Sequence, residues 1–201
     1  MKINLVKELK EEFSTAKKCK LLDVSDAQYL AVDGKGSPGE DAFADAVGAL
    51  YGMAYTIKFA CKDRDEDFVV GKLEALYAKG VPMEEYVARP KEEWEWTMMI
   101  RMPEVVTEAD MEPAREALRK KGKTEDFGAV RLEAIEEGRC VQMLHLGPYE
   151  EEAVTGAAMI AFCEEQGVRP HRWHHEIYMS DPRRVPAEKL NTLLRFPVVD
   201  A

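Results

Sequence analysis

"VRLEAIEEGRCVQMLHLGPYEEEAVTGAAMIAFCEEQG", Val130–Gly167, reads as two strands, a tight turn and a helix. The apolar residues before Glu137-Gly138 and after it alternate as half-buried strands do, and the Glu-Gly pair marks the turn between them. "GPYE", Gly147–Glu150, closes the second strand, and Pro148 suits the first position of a helix. Val154, Ala157, Ala158 and Ala161 then recur at helical spacing, and the helix is predicted to stop near Gly167, with Pro170 just beyond.

The same order of signals occurs once before. "KLLDVSDAQYLAVDG" gives two strands about a Ser-Asp turn, and "SPGE", Ser37–Glu40, stands 110 residues ahead of "GPYE". Ser37 and Glu40 have capping-box spacing, and Phe43, Val47, Leu50, Ala54 and Ile57 form the helical stripe that follows. After each helix comes another strand, in "DFVVGKLEALY" and "HRWHHEIYM". Each half then closes on a similar strand, "TMMIRMP" in one and "TLLRFP" in the other.

The predicted fold is therefore α+β: two pseudo-symmetric strand-helix-strand-strand modules, each preceded by an extra strand, forming antiparallel sheets around a central ligand cleft. Within a single domain, residues 1–18 form an N-terminal helical extension and residues 19–105 the first module. Residues 106–122 form a connecting helix, and residues 123–201 the second module. The connecting helix, in "TEADMEPAREALRKKG", is acidic at its start and basic at its end, as the helix dipole favours. Grooves between packed units are favoured ligand sites.

Composition narrows the function. The chain has 201 residues, 46% hydrophobic and 33% charged, with a formal charge of −10. That is an ordinary globular balance, and it argues against direct nucleic-acid binding, which needs a concentrated basic face. Cys19, Cys61, Cys140 and Cys163 are scattered without a C-x-x-C, which fits reduced thiols in a cytoplasmic protein. The opening "MKINLVKELKEEF" lacks the apolar core of a signal peptide, and no run of apolar residues is long enough to span a membrane.

"HRWHHEIYMSDPRR", His171–Arg184, concentrates three of the four histidines. On a strand, alternation sends His171, Trp173, His175, Ile177 and Met179 to one face and Arg172, His174, Glu176 and Tyr178 to the other. The apolar members of the first set are expected to pack under the helices, which leaves Glu176, Tyr178 and His174 facing the cleft. His171 and His175 would lie ~13 Å apart, too far to share an ion. His174 and Glu176 are the one close ligand-type pair in the segment. A metal would need ligands from elsewhere, and no H-E-x-x-H or Cys/His spacing provides them. No metal and no cofactor is expected.

The ordered pair "GPY…EIYMSDPRR", with "KLEALY" and "WEWTMMIRMP" in the first half, resembles the GyrI-like small-molecule-binding family, in its stand-alone bacterial branch. That family is related to the effector domains of Rob-like and multidrug-responsive transcription regulators, and the likeness runs from about Lys20 to Val198. It implies two modules about a cleft with Glu176 deep inside. It also implies that aromatic residues, here Tyr149, Tyr178, Trp94 and Trp96, stack on flat, lipophilic and often cationic ligands. By its place in "KLEALY", Glu74 is expected to be the first-half counterpart of Glu176, with Tyr77 nearby. Where the branch carries "LEGLWW" this chain has Tyr77 and Ala78, and regular alternation turns Tyr77 away from Glu74.

The expected function is promiscuous binding of hydrophobic, often cationic, small molecules, for sensing or sequestration. The alternative is a hydrolase of reactive electrophiles such as cyclopropanoid compounds. There Glu176 would act as general base, Tyr149 would donate to the leaving atom, and Glu74 would help position the water. A transcription regulator is disfavoured, since the short amphipathic segment ahead of the fold is no DNA-reading unit. The oligomeric state is not specified by these residues.

Overall fold

A computed structural model describes residues 2–201 of the chain. Its elements follow the repeat. Helix α1 (Leu5–Glu8) is a single turn, followed by β1 (Lys20–Val24), β2 (Ala27–Lys35), α2 (Asp41–Asp63), β3 (Leu73–Tyr77), α3 (Met83–Ala88) and β4 (Glu95–Met102). Helix α4 (Met111–Lys120) leads to β5 (Arg131–Ile135), β6 (Gly138–Leu146), α5 (Glu152–Glu165), β7 (Val168–Pro170), β8 (His174–Tyr178) and β9 (Asn191–Asp200). Residues 2–18 are thus helical only over one turn, and the chain there otherwise lies irregularly along the sheet.

The two modules do not form separate sheets. Their strands join edge to edge in the order β1-β6-β9-β8-β3-β4-β2-β5, with β7 added beside β9, and every pairing is antiparallel. The sequence-distant strands β3 and β8 meet at the centre, and partners on either side mirror one another: β4 with β9, β2 with β6, β5 with β1. This is the pseudo-twofold that the internal echoes predict.

Helices α2 and α5 cover one face. Along α2, Ala46, Ala49, Leu50, Met53, Ala54, Ile57 and Cys61 are buried, at the spacing of one helical stripe. They pack on Leu30, Val32, Ala75, Met98 and Ile100 of the strands below. Leu50, Met53 and Ile57 are fully buried, each stabilising by about 1.5–3 kcal/mol. On α5 the predicted stripe is rotated. Val154 is 76% exposed, while Met159 and Cys163 are buried against Val141, Leu194 and Phe196. Running that stripe back by helical steps reaches Thr155 and Glu152.

The opposite face is covered differently. Ile177 packs with Phe13, Leu144 and Leu193, and Met179 joins them, while Trp173 packs with Tyr29 and Ile135. These apolar residues of the histidine stretch therefore lie under the N-terminal segment and the sheet's own side chains. They do not lie under α2 and α5 as alternation alone suggested. The alternation itself is regular only from His174, because Arg172 has φ +71 and breaks the strand.

Candidate functional site

Residues directly opposite each other in an antiparallel pair share a face. Tyr77 lies opposite His174 and Ala75 opposite Glu176, so all four project on the helix-covered side. Glu74 lies opposite Ile177, and Leu76 opposite His175, on the other side. Glu176 and Tyr178 thus rise from β8 into the space between α2 and α5. The first turn of α5 brings Glu152 down onto them.

The turn before α5 is built to hold that position. Gly147 has φ +132, a value that L side chains rarely adopt, and Pro148 follows it. The ring of His145, at the end of β6, bonds Thr155 Oγ1 through Nδ1 (2.8 Å) and the Pro148 carbonyl through Nε2 (3.0 Å). One buried imidazole thereby pins the turn and the helix to the strand, and it places Tyr149 and Glu152 over β8.

Tyr178 donates to Glu176 Oε2 at 2.8 Å, and Tyr77 and Tyr178 bond hydroxyl to hydroxyl at 2.9 Å. The other Glu176 oxygen, Oε1, faces His174 Nε2 at 3.2 Å. One ligand-type atom each from Glu152, His174 and Glu176 falls within 4.8 Å of the other two. The side chain of Glu176 is 12% exposed, and no Lys or Arg among the described residues pairs with it or with Glu152. Burial, and then the neighbouring charge of Glu176, push the Glu152 carboxyl up to about 9, so it keeps its proton at neutral pH. Glu152 Oε1, Thr192 Oγ1 and His174 Nδ1 are buried without a hydrogen-bond partner.

Aromatic rings extend from this cluster. Tyr149 meets Tyr178 edge-on at 5.9 Å, Tyr77 lies 6.3 Å from Tyr86, and Tyr86 lies 5.1 Å from Trp94. Burial and the charges of Glu152 and Glu176 push the Tyr149 hydroxyl up to about 12, and burial raises Tyr77 and Tyr178 well above their ordinary value. All three remain protonated donors at any ordinary pH. Of the residues singled out from sequence, Glu176, Tyr178, Tyr149, His174 and Tyr77 are brought together, and Trp94 joins through Tyr86.

Trp96 and Glu74 are not. Trp96 is buried beneath α2, its ring against Phe43 at 5.4 Å and packed onto Gly34, where any Cβ would collide with it. Its Nε1–H donates to the Gly36 carbonyl at 3.1 Å. Glu74 lies on the far face, bonded to His175 Nε2 at 2.9 Å. The reason is a register difference of one residue. Tyr77 faces Trp96, which faces Gly34; Tyr178 faces Thr192, which faces His145. Tyr77 is therefore the counterpart of Tyr178, Ala75 that of Glu176, and Glu74 that of His175. A slip of one residue moves a side chain to the other face of a sheet. The turn echoes follow the same frame: Gly36, at φ +123, is the counterpart of Gly147.

Glu152 was missed because the predicted stripe of α5 was rotated away from it. The signal was present in Met159 and Cys163, seven and eleven residues on, which share its side of the helix. Two cavities lie elsewhere. One of about 280 Å³ is lined by Leu76, Lys79, Thr97 and Trp173 on the far face, and one of about 190 Å³ lies between Trp96 and α2. Neither is lined by Glu176. No helix among the described residues is long and apolar enough to cross a membrane.

Comparison with known proteins agrees with this fold. No curated protein matches the chain. A conserved protein from Listeria innocua of known structure is 40% identical, with a TM-score of 0.90 over 98% of this chain and 100% of that one. A hydrolase from Listeria innocua is 38% identical, with a TM-score of 0.89 over 99% of this chain and 100% of that one. The C-terminal domain of EcmrR, 10% identical with a TM-score of 0.57 over 92% of this chain and 98% of that one, shares the fold alone. Residues 104–199, which hold Glu152, His174 and Glu176, match the GyrI-like small molecule binding domain. With that domain in its second half and relatives this similar over nearly its whole length, the chain belongs to the GyrI-like small-molecule-binding family.

Proposed function

We propose that the space between α2 and α5 binds hydrophobic, often cationic, small molecules, with Glu176 as the counter-charge. One observation carries this reading: two carboxyl groups converge inside an aromatic surround with no Lys or Arg beside them. A buried carboxylate without a fixed cation beside it is costly. An organic cation provides the missing charge, and each ring face adds about 0.5–2 kcal/mol of cation–π attraction. Flat rings impose little shape discrimination, so several ligands of this class should bind, as sensing or sequestration requires. Titration of the protein with a fluorescent lipophilic cation tests it. Glu176→Gln is expected to weaken binding about tenfold or more, since a charge-assisted contact is worth roughly 1.5–3 kcal/mol. Unchanged affinity would remove the carboxylate from the explanation.

A second reading is favoured by the protonated state of Glu152 beside Glu176, and by the Listeria innocua relative described as a hydrolase. A carboxyl group that keeps its proton beside a second one can act as the acid of an acid–base pair. In hydrolysis of a cyclopropanoid electrophile, Glu176 would take a proton from water as its oxygen bonds to the ring carbon and the carbon–carbon bond breaks. Glu152 would return a proton to the atom receiving the released electron pair, with Tyr149 donating to it. Glu74, on the far face, has no part in this. Turnover by the native protein but by neither Glu152→Gln nor Glu176→Gln is the expected result; equal turnover by either variant would end this mechanism.

A further inference from the structure

The four histidines are used in different ways. His145 has both ring nitrogens bonded, to Thr155 and the Pro148 carbonyl. His175 also has both bonded, to Glu137 and Glu74 on opposite sides of the ring, so those three donors cannot converge on one ion. His171 is half-exposed and stands outside these clusters. His174 differs from all three. It is 8% exposed, its Nδ1 has no partner, and its Nε2 meets only a carboxylate oxygen. No bond of the scaffold explains why this side chain is an imidazole.

We propose that His174 Nε2, Glu176 and Glu152 form a binding site for a divalent transition-metal ion of the zinc class. The 3.2 Å between His174 Nε2 and Glu176 Oε1 is close to the roughly 3.3 Å edge of a tetrahedron with metal–ligand bonds near 2 Å. The third donor lies within 4.8 Å of both, so a shift of up to about 1.6 Å by the Glu152 side chain completes the set. Three protein ligands leave the fourth position open, as in zinc sites that hold water or a ligand. One nitrogen with two carboxylates suits Zn²⁺, Mn²⁺ or Co²⁺ better than Mg²⁺, which prefers oxygen and keeps its waters. The Tyr178 hydroxyl, bonded to Glu176 Oε2, holds that carboxylate with Oε1 toward the site, the role of an outer-shell partner.

The site answers what alternation along β8 left open. His174 and Glu176 are two residues apart on one strand face, and the missing ligand comes from the first turn of α5, 22 residues ahead of His174 in sequence. It also gives the Glu152 carboxyl, which has no Lys or Arg beside it, a cation to bind. The inference shares Glu176 with the organic-cation reading but does not require it. An ion and an organic cation would compete for the same carboxylates.

The test is calorimetric titration of chelator-treated protein with Zn²⁺ and, separately, with Mg²⁺, followed by visible spectroscopy with Co²⁺. The expected result is one Zn²⁺ per chain, no heat with Mg²⁺, and Co²⁺ bands of a four-coordinate nitrogen–oxygen site. His174→Gln and Glu152→Gln should each weaken Zn²⁺ at least tenfold, while His171→Gln leaves it unchanged. Thermal melts identify any variant that fails to fold, and the other ligand variant then decides. Zn²⁺ binding that survives both ligand substitutions places the ion elsewhere and overturns the proposal. So does the absence of Zn²⁺ binding by a cooperatively melting protein. If that protein still binds a lipophilic cation in a Glu176-dependent way, only the metal site has failed; if it binds neither, both readings have.

Discussion

The two faces of β8 carry two buried charged clusters within a few residues of each other, and only one of them is closed. On the far face, His175 sits between Glu74 and Glu137 at 2.9 Å from each, and Arg195 bonds the second Glu137 oxygen at 2.7 Å. Arg195 goes on to Gln142 and to the Glu12 carbonyl, while the Glu12 carboxylate meets Arg101 and Ser25. Apart from one oxygen of Glu74, each buried charge there has a partner. The network fastens the N-terminal segment to the sheet. On the helix-covered face, Glu152 and Glu176 have one imidazole, a ring of hydroxyls and no fixed cation. The first cluster is closed on itself, whereas the second has no fixed counter-charge.

Substitutions at adjacent histidines break this comparison most sharply. His175→Ala leaves Glu74 and Glu137 facing each other in a fully buried place, and removing one partner of such a pair typically costs about 3–5 kcal/mol. His174→Ala removes no bond of the scaffold, and urea denaturation should show a loss of under about 1.5 kcal/mol. Equal losses at the two positions would contradict the division into scaffold and site.

The pH dependence of stability separates the clusters next. Burial opposes the charge on His175, but Glu137 and Glu74 outweigh it and raise its value above the ordinary one. Its contribution is therefore complete below about 6.5 and is lost as pH rises through the raised folded value. Glu137, despite burial, is held well below the carboxylate range by His175 and Arg195. Its contribution is present above about 4.3 and is lost as pH falls through the depressed value. Stability should decline on both sides, and His175→Gln should lessen the alkaline decline. The open cluster adds to the alkaline decline. Glu152 takes up a proton on folding between its ordinary value of 4.5 and about 9, so it costs stability across neutral pH. Glu152→Gln is expected to raise Tm at pH 7, by several degrees at most.

The smallest effect is expected at the rim. Trp94 reaches the cluster only through Tyr86, and Trp94→Ala should weaken a lipophilic cation by about 0.5–1 kcal/mol, a two- to fivefold change. Fluorescence titration resolves a change of that size.

Much of this was legible in the chain. The turn echoes, the helical stripe of α2 and the alternation through "HHEIY" give both halves, the pairing class and the face that holds Glu176 with His174 and Tyr178. What could not be read were relations fixed across strands. The echo between "KLEALY" and "HHEIYM" aligns glutamate with glutamate, but hydrogen-bonded register aligns Tyr77 with Tyr178 and leaves Ala75 at the place of Glu176. That single residue sends Glu74 into the scaffold. Trp96 was ambiguous because core and cleft aromatics have the same local spacing; the deciding partner is Gly34, two strands of context away. Glu152 hid in an acidic run, "YEEE", in which only the docking of α5 selects one carboxyl group for burial.

The central claim is that Glu176 acts in the cleft as a charge awaiting a cation. It is tested most directly by titrating native protein and Glu176→Gln with two aromatic ligands of the same shape, one cationic and one neutral. The account predicts that the substitution weakens the cation tenfold or more and leaves the neutral ligand within about twofold. Equal losses for both ligands would mean that Glu176 only shapes the cleft, and the claim would fall.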